Sequence, residues 1–290
     1  MAEQAGRGNR VALVTGANSG IGRATAEALR GEGFFVYAGA RRPEAAAGLE
    51  ADGFRAVRLD VTDEESMASA VAAVEEERGA VDLLVNNAGY AMYGPMEELS
   101  LDAVRAEFEV NVFGMLRMSQ LVLPGMRARG VGRIVNIGSV GGLFTVPFAG
   151  AYHMSKYAVE SLSDALRAEV AGFGVEVALL EPTGVRTPFI RKQVATTPDT
   201  GPGSPYAAQK DAGVEGALAL FRDGSRVVVD PEDVARVVVE VATVCRPRTR
   251  YKVGMAARLI PLVRRVLPDR AWDRMATRQF ASGAPSTAAS

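Results

Sequence analysis

The hydrophobic positions along the chain follow two alternating patterns. Short apolar runs bounded by polar or glycine-bearing turns are typical of strands buried on both faces of a sheet. Between these runs, apolar residues recur every three or four positions, which predicts amphipathic helices. The predicted strands occupy residues 11–14, 34–38, 57–60, 81–85, 133–137, 175–180 and 251–253. This alternation predicts one α/β domain, a doubly wound parallel sheet of about seven strands with helices on both faces.

Several helices carry further local signals. Thr62 is expected to begin a capping box that Glu65 closes. A single long helix is predicted over about 101–129. The segment 230–233 combines a capping aspartate, a proline and early acidic residues, which indicates a helix start.

The chain divides into one domain and its flanking segments. Residues 1–9 are expected to be a disordered leader, residues 10–255 the main domain, and residues 282–290 a loose tail. Prolines and glycines interrupt the pattern over 183–226, and we interpret this segment as a mobile substrate lid. Residues 256–281 are predicted to form a helical extension. Its apolar and arginine positions favour packing on the core over contact of 256–267 with a membrane surface.

Composition narrows the class of protein. The chain has 290 residues, of which 48% are hydrophobic and 23% charged, and its formal net charge is −1. This balance provides no overall field to attract nucleic acid. The single cysteine, Cys245, excludes internal disulfides and cysteine-clustered metal sites, and its valine-rich surroundings predict a core position. No signal-peptide pattern and no membrane-length apolar run are present, so a cytoplasmic location is expected.

A glycine-rich turn follows the first predicted strand. Gly16, Gly20 and Gly22 lie in the stretch 15–22, directly before a helical pattern. Such glycines let the backbone approach a pyrophosphate, and the free amides of a helix N-terminus face the anion. The alternative is an ordinary strand-to-helix turn. We favour a dinucleotide site.

The end of the second predicted strand bears on cofactor choice. An acidic residue at this place holds the ribose hydroxyls of NAD, whereas an arginine accommodates a 2′-phosphate. Here Ala40 occupies the acidic position, and Arg41 and Arg42 follow. The sequence therefore favours NADP(H), with NAD(H) as the alternative.

Tyr152 and Lys156 lie four residues apart on a predicted helix and so share one of its faces. A tyrosine ordinarily loses its proton near about pH 10, and a nearby ammonium favours the phenolate. The pair predicts a general acid and base whose pKa is lowered toward neutrality. With only one histidine, His153, which we interpret as a packing or pocket-rim residue, and no G-x-S-x-G motif, a hydrolase is disfavoured.

These motifs occur in a fixed order: the 15–22 loop, Asp60, the 86–89 segment, Asn111, Ser139, the Tyr152–Lys156 pair and Glu181-Pro182. In this order they resemble the compact branch of the short-chain dehydrogenase/reductase family over roughly residues 10–255. The stretch 152–182 looks most like retinol and 17β-hydroxysteroid dehydrogenases. The resemblance implies a Rossmann-like fold and homodimers or homotetramers, paired through the helices bearing Asn111 and Tyr152.

The resemblance also implies roles for individual residues. Catalysis would involve Asn111, Ser139, Tyr152 and Lys156, with Asn111 supporting a water-linked proton path from Lys156. The residues implied in cofactor binding, besides Tyr152 and Lys156, are Gly16, Ser19, Gly20, Ile21, Gly22, Arg41, Asp60, Asn87, Ala88, Gly89 and Thr187. One departure is that Thr183 stands where the family usually has glycine, with Gly184 next.

The expected function is transfer of a hydride between a nicotinamide and a hydrophobic secondary alcohol or ketone that is steroid-, retinoid-, acyl- or polyketide-like. An apolar pocket is predicted from the residues near the strand ends, namely Tyr90, Met92, Tyr93, Phe144, Val146, Phe148, Pro188 and Phe189. The alternative is a non-catalytic protein of the same fold that senses NADP(H) or serves as a scaffold. The set of proton-transfer residues argues against it, because binding alone requires no proton donor.

Overall fold

A computed structural model of the protein describes residues 10–189, 203–221 and 227–278, apart from the side chains of residues 216, 217 and 220. At its centre lies one parallel sheet of seven strands in the order β3-β2-β1-β4-β5-β6-β7. The strands are β1 Val11–Val14, β2 Phe35–Ala40, β3 Arg55–Arg58, β4 Leu83–Asn86, β5 Gly132–Ile137, β6 Val175–Pro182 and β7 Arg250–Val253. The doubly wound parallel sheet expected from the sequence is confirmed.

Helices cover both faces of this sheet. They are α1 Gly20–Gly31, α2 Pro43–Ala51, α3 Glu64–Arg78, α4 Leu101–Phe108, α5 Gly114–Arg129, α6 Gly150–Val170, α7 Ala207–Leu220, α8 Pro231–Thr243, α9 Met255–Val266 and α10 Asp269–Thr277. One core layer packs α1, α2 and α8 against the sheet. The other packs α3, α5 and α6 against the opposite face. Apolar side chains therefore line both faces of the strands, as their nearly unbroken apolar sequences require.

The strand order reverses beside β1, which pairs with β2 on one side and with β4 on the other. In an open parallel sheet, ligands bind outside the carboxyl ends of the strands at such a reversal. The turns that leave β1, β4, β5 and β6 all start from this edge. The fold thus gathers the sequence motifs at one crevice.

The predicted long helix over 101–129 is wrong in one respect. A five-residue π-helix, Glu109–Phe113, separates α4 from α5, and the Gly114 amide donates to the Glu109 carbonyl across the wider turn. A π-helix of this kind inserts one extra residue into a helix and is frequent at functional sites. Asn111 lies at its centre.

Three smaller expectations are also wrong. Helix α3 is capped by Asp63, whose carboxylate accepts from the Glu65 and Ser66 amides at 3.0 and 3.2 Å. The Thr62 hydroxyl instead donates to Asp60 at 2.8 Å. Strand β3 ends at Arg58, before Asp60, because Asp60 already belongs to this turn. Cys245 is exposed, since it lies beyond the end of α8.

The C-terminal helices also differ from expectation. The sequence favoured packing of the apolar positions of residues 256–267 on the core. In the structure, Ala257 is buried, whereas Leu259, Leu262, Val263 and Val266 are exposed. Across the described parts of the chain, no helix combines the length and the apolar character that crossing a membrane requires.

The predicted lid, residues 183–226, is described only in part. Its first residues continue from β6, and Val185 forms an isolated parallel bridge with Val229. Helix α7 accounts for most of its second half. Residues 190–202 and 222–226, the predicted leader 1–9 and the predicted tail 282–290 lie outside the described residues.

Candidate active site

The carboxyl end of β5 and the first turn of α6 bring Ser139 next to Tyr152. The Ser139 hydroxyl oxygen accepts a hydrogen bond from the Gly141 amide at 3.0 Å, and Ser139 caps the short 3₁₀ helix Val140–Gly142. Because this oxygen accepts from the backbone, its own proton is directed away from Gly141. Ser139 also lies close enough to the Tyr152 side chain to lower the pKa of its phenol. The pair presents two hydroxyl groups to the crevice.

Lys156 follows Tyr152 by one turn of α6. Its ammonium donates to the Ile137 carbonyl at 3.0 Å and lies 5.8 Å from the centre of the Tyr152 ring. Burial lowers the pKa of Lys156 to about 8, while the negative charge of Glu107 acts in the opposite direction. The side chain therefore remains largely protonated at neutral pH.

The pKa of Tyr152 differs from the expectation. We expected Lys156 to lower it, but burial raises the pKa of Tyr152 to about 12. The nearby Ser139 lowers it, and the charge of Glu107 raises it further. Desolvation of the phenolate, together with the charge of Glu107, outweighs the lowering by Ser139. At neutral pH the phenol is protonated, so this arrangement is suited to donating a proton.

Asn111 is completely buried, and its side-chain amide forms hydrogen bonds with other groups of the protein. Its oxygen accepts from the Tyr90 amide at 3.0 Å, and its nitrogen donates to the Tyr90 carbonyl at 2.8 Å and to the Ser155 hydroxyl at 3.0 Å. Ser155 in turn donates to the Tyr152 carbonyl at 2.8 Å. Among the described contacts, this amide therefore reaches α6 through Ser155 rather than through Lys156.

The sequence interpretation missed Glu107, a completely buried carboxyl group one turn before Asn111. Its Oε1 lies 3.5 Å from the Asn111 amide nitrogen, and its Oε2 has no hydrogen-bond partner in the described part of the chain. Burial raises the pKa of Glu107 to about 7, whereas the nearby Met92 backbone and the charge of Lys156 both act to lower it. In the sequence Glu107 is only an acidic residue one helical turn before Asn111, and this spacing does not show that its carboxyl group is buried.

The turn after β1 has the shape of a phosphate cradle. Gly16 and Gly20 have φ values of 65° and 55°, in the left-handed region that favours glycine. A Cβ on Gly22 would lie closer than van der Waals contact to the Gly16 carbonyl and to the Asn87 amide nitrogen. The Ser19 side chain does not cap α1, and the first turn of α1 has no acidic residue. The N-terminal amides of this helix are thus suited to bind an anion.

Thr15 is a second residue that the sequence interpretation did not assign to the site. Its hydroxyl oxygen accepts from the amides of Asn87 and Ala88 at 3.0 and 2.9 Å. The Asn87 side chain donates to the Thr15 and Gly16 carbonyls at 2.9 and 3.2 Å. These bonds join the turns after β1 and β4 into one wall of the crevice. The Asn87 amide nitrogen therefore supports the cradle.

The remaining predicted cofactor residues lie around the same crevice. Thr187 is beside the cradle, since a Cβ on Gly20 would come within 3.0 Å of its methyl group. Gly89 lies against Asn111, whose Oδ1 would be 3.1 Å from an added Cβ. Ser19 and Ile21 begin α1 and are partly exposed.

Thr183, which departs from the family pattern, has ordinary backbone geometry. Its hydroxyl donates to the Val227 carbonyl at 3.0 Å and its amide to the Val253 carbonyl at 3.0 Å. A Cβ on Gly254 would meet its methyl group at 2.6 Å. Gly254, rather than the neighbouring Gly184, makes room for the threonine side chain.

The two predicted contacts for the adenosine half lie at the ends of adjacent strands. Arg41 directly follows β2 and is exposed. Neither Arg41 nor Arg42 forms an ion pair with a residue that the structure describes. Asp60 follows β3, and one of its carboxylate oxygens accepts from the Thr62 amide and hydroxyl at 3.0 and 2.8 Å. The arginines are therefore available to an anionic ligand.

His153 is a packing residue. It is buried, its Nδ1 lies 2.7 Å from the Gly141 carbonyl oxygen, and its Nε2 accepts from the Val146 amide at 3.4 Å. Burial lowers its pKa. These bonds fix the 141–146 loop beside Tyr152.

The apolar residues predicted to line a pocket pack in separate groups, with Tyr90 and Met92 in a cluster with Leu99 and Ala151. Tyr93 and Ala149 form a buried cluster against which Val146, Phe148 and Val214 pack. The ring of Phe189 lies 6.2 Å from that of Tyr152, centre to centre. Phe144 instead packs on His153 and Trp272.

A family model described as "short chain dehydrogenase" matches residues 10–198. The chain is 35% identical over 266 residues to the uncharacterized oxidoreductase YbbO of Escherichia coli, covering 91% of this chain and 92% of that protein. It is 34% identical to a 3-ketodihydrosphingosine reductase of Bacteroides thetaiotaomicron, covering 84% and 88%. Identity to mouse 17-beta-hydroxysteroid dehydrogenase type 1 is 37%, covering 88% and 76%.

Solved structures agree with these matches. A short-chain dehydrogenase from Streptomyces avermitilis superposes with a TM-score of 0.76 at 34% identity, covering 96% of this chain and 98% of that one. A Burkholderia phymatum short chain dehydrogenase/reductase in complex with NAD has a TM-score of 0.74 at 28% identity, covering 89% and 92%. A serine dehydrogenase complexed with NADP+ gives 0.72 at 28% identity, covering 84% and 94%.

A glycine-rich turn lies at the strand reversal, and Ser139, Tyr152 and Lys156 lie at the carboxyl end of β5 and the start of α6. The chain belongs to the short-chain dehydrogenase family and is an oxidoreductase of that family.

Proposed function

We propose that the protein is an NADP(H)-dependent reductase of hydrophobic ketones that also catalyses the reverse oxidation of the secondary alcohol. The observation that carries this proposal is the position of Ser139 beside Tyr152, with the ammonium of Lys156 5.8 Å from the centre of the Tyr152 ring. When bound, the nicotinamide supplies or accepts the hydride. The side chains of this site supply position and the proton.

The proton in the reduction comes from Tyr152. Its raised pKa keeps the phenol protonated near neutral pH, so it can donate to the ketone oxygen as negative charge develops there. Ser139 donates a second hydrogen bond to the same oxygen. The Lys156 ammonium offsets the charge left on the phenolate and holds the nicotinamide ribose. Asn111 positions this helix through Ser155.

The preference for NADP(H) rests on Arg41 and Arg42. Both lie at the end of β2, where the adenosine ribose binds in this fold. Among the described residues neither guanidinium has an ion-pair partner, and each provides a bidentate donor for a 2′-phosphate. Ala40 provides no carboxylate that would favour the free hydroxyls of NAD instead. One structural relative is in complex with NAD and another with NADP+, so the fold is compatible with either cofactor.

The substrate is a large apolar ketone. The Phe189 ring packs against that of Tyr152, and Tyr93, Val146 and Phe148 form an apolar cluster with Ala149, the residue directly before α6. Two relatives support this substrate class, because the name of one denotes a sphingosine-type lipid ketone and that of the other a steroid alcohol. We therefore place a long-chain or fused-ring ketone first among candidate substrates.

The protein forms a homodimer through the outer face of α6, and this assignment is part of the same proposal. Met154 and Tyr157 are exposed on the side of α6 opposite Lys156, and Phe113 is exposed on the neighbouring π-helix. Phe108, Met154 and Tyr157 help line an apolar groove of about 580 Å³. Light scattering on the intact protein should give twice the monomer mass, and Met154→Glu should give the monomer mass.

The catalytic proposal is tested with Tyr152→Phe, which removes one hydroxyl group and leaves the ring in place. We expect the rate of NADPH-dependent reduction of 3-ketodihydrosphingosine or a 17-ketosteroid to fall by about 100- to 10,000-fold. The affinity for NADPH should be largely kept when measured by fluorescence titration. Full turnover by the variant would refute the assignment of Tyr152.

The non-catalytic alternative makes a different prediction. It requires that the unmodified protein binds NADPH tightly and turns over no ketone in a broad panel. Lys156 and Glu107 are two buried ionisable groups near Tyr152. They argue for catalysis, because burying an ionisable group lowers the stability of the protein and a site that only binds a cofactor does not require it. Measuring NADPH binding and turnover on the same preparation separates the two functions.

A further inference from the structure

Helix α9 turns its apolar side toward solvent. Leu259, Leu262 and Val266 expose 53%, 57% and 81% of their surface. Met255 and Val263 are exposed beside them, and the spacing of three and four residues places all five on one face. A helix on the surface of a globular protein normally directs such a face inward. This orientation indicates that the face binds a partner outside the core of the protein.

Positive charge borders the apolar face. Arg258 and Arg265 lie seven residues apart, on the same flank of α9, and both are exposed. Within the described residues, neither has an ion-pair partner. Residues 255–278 contain six arginines and two aspartates, although the whole chain has a net charge of −1. The C-terminal helices are therefore a local basic region with an apolar face.

This face is held on a fixed support. Arg264 forms a 2.7 Å ion pair with Asp269, which joins α9 to α10. The buried indole of Trp272 donates to the Thr145 carbonyl at 3.2 Å, and the Phe144 ring packs edge-on against it at 5.5 Å. The support extends to the 141–146 loop beside Tyr152, so the apolar face has a defined position relative to the candidate active site.

We propose that α9 docks the protein on the surface of an anionic lipid bilayer. The helix has 12 residues and is therefore about 18 Å long, too short to cross the hydrocarbon core. It would lie in the plane of the interface, with Leu259, Leu262 and Val266 among the acyl chains and Arg258 and Arg265 at the lipid phosphates.

The flanking charges favour lipid over a second copy of this chain. A two-fold interface places the same patch of both copies face to face. Pairing of α9 with itself would bring Arg258 and Arg265 of one copy close to the same residues of the other, and like charges repel. An anionic bilayer provides the opposite charge and an apolar layer together.

Docking would also bring the candidate active site close to the bilayer, where long-chain and steroid ketones partition. This consequence rests on the proposed function, whereas the docking itself does not. Vesicle binding measured without substrate therefore tests the surface independently of the catalytic assignment.

The experiment is cosedimentation of the full chain with vesicles of phosphatidylcholine alone or mixed with phosphatidylglycerol. We expect stronger binding to the mixed vesicles. Leu259→Ser combined with Leu262→Ser should weaken that binding at least about tenfold, since each leucine side chain that enters the acyl layer contributes strongly to the free energy of binding. Arg258→Gln combined with Arg265→Gln should weaken only the binding to anionic vesicles, by about fivefold for each arginine.

The matched control is Leu101→Ser combined with Val131→Ser, which removes two apolar side chains that are at least about as exposed as Leu259 and Leu262 and lie far from α9 in sequence. It should bind vesicles as the unmodified protein does, and circular dichroism should show that all variants fold. Absence of binding to anionic vesicles by the intact protein would overturn the proposal. So would a light-scattering result in which only the leucine variant loses a dimer, because a second copy would then cover this face.

Discussion

The side-chain amide of Asn111 donates a hydrogen bond to the hydroxyl of Ser155 at 3.0 Å, joining the π-helix to the helix that carries Tyr152 and Lys156. Both residues are completely buried. Ser155 in turn donates a hydrogen bond to the Tyr152 carbonyl. The position of the proton donor therefore depends on a contact between two helices that are distant in sequence.

Ser155→Ala should remove this connection with little change in volume. The variant leaves one Asn111 N–H without its acceptor, so we expect the free energy of unfolding to fall by about 1–2 kcal/mol. A small displacement of Tyr152 should lower kcat by about 10- to 100-fold, while the KM for NADPH stays near its original value. Urea unfolding and steady-state kinetics measure the two effects.

Ser163→Ala is the matched control on the same helix. Ser163 is also buried, and its hydroxyl accepts from the Asn136 amide at 2.9 Å, two turns beyond Ser155. It should lose similar stability and retain its kcat. A fall in kcat of the same size in both variants would show that loss of helix stability alone, without specific positioning by Ser155, lowers the rate.

Glu107→Gln should change how stability depends on pH. The folded protein holds the Glu107 proton more strongly than the unfolded chain does, because burial raises the pKa from 4.5 to about 7. The resulting stabilisation is present below pH 4.5 and is lost as the pH rises through about 7. The loss is on the order of 3 kcal/mol for a shift of this size. Glutamine keeps the Asn111 contact without titrating.

Thermal unfolding at a series of pH values measures this effect. The melting temperature of Glu107→Gln relative to the unmodified protein should rise by several degrees between pH 5 and pH 8. Glu76→Gln, which replaces an exposed carboxyl group on α3, should show no such trend. A constant difference for Glu107→Gln across this range would mean that Glu107 keeps an ordinary pKa.

Arg41→Ala tests the cofactor preference. A charge-assisted hydrogen bond contributes about 1.5–3 kcal/mol, so removal of the guanidinium should raise the KM for NADPH by about 10- to 100-fold. The KM for NADH should stay the same because NADH has no 2′-phosphate. Arg246→Ala, which removes another exposed arginine, should change neither value. An equal rise for both cofactors would contradict the assignment of Arg41 to the phosphate.

The sequence predicted the sheet and most helices because their signals are local. An apolar run such as residues 11–14, or a helical repeat such as Met67, Ala70 and Val74, predicts from the local sequence alone which residues are buried. The π-helix was missed because it accompanies a long-range contact, the pairing of Asn111 with the backbone of Tyr90. The cap of α3 was misassigned because Asp63 and Thr62 are both suitable capping residues, and only the turn at Asp60 decides between them.

Properties that depend on the environment of a side chain were less predictable. Spacing placed Tyr152 and Lys156 on one face of a helix but did not reveal the burial that raises the pKa of the phenol. It grouped the apolar positions of α9 without revealing that this face points outward. Glu107 was missed for the same reason, since nothing in its local pattern shows that its carboxyl group is buried.

Gly22→Ala should prevent cofactor binding. A methyl group at this position would overlap the Gly16 carbonyl and the Asn87 amide nitrogen, and both are backbone or tightly bonded groups that cannot move aside without opening the crevice. Gly48→Ala is the control, because a methyl group there meets no atom within 4 Å and alanine favours helix α2. Fluorescence titration with NADPH should therefore show lost binding for Gly22→Ala and unchanged binding for Gly48→Ala. If Gly22→Ala binds NADPH normally and remains folded by circular dichroism, the pyrophosphate does not lie against this turn, because the cradle would have been distorted without effect.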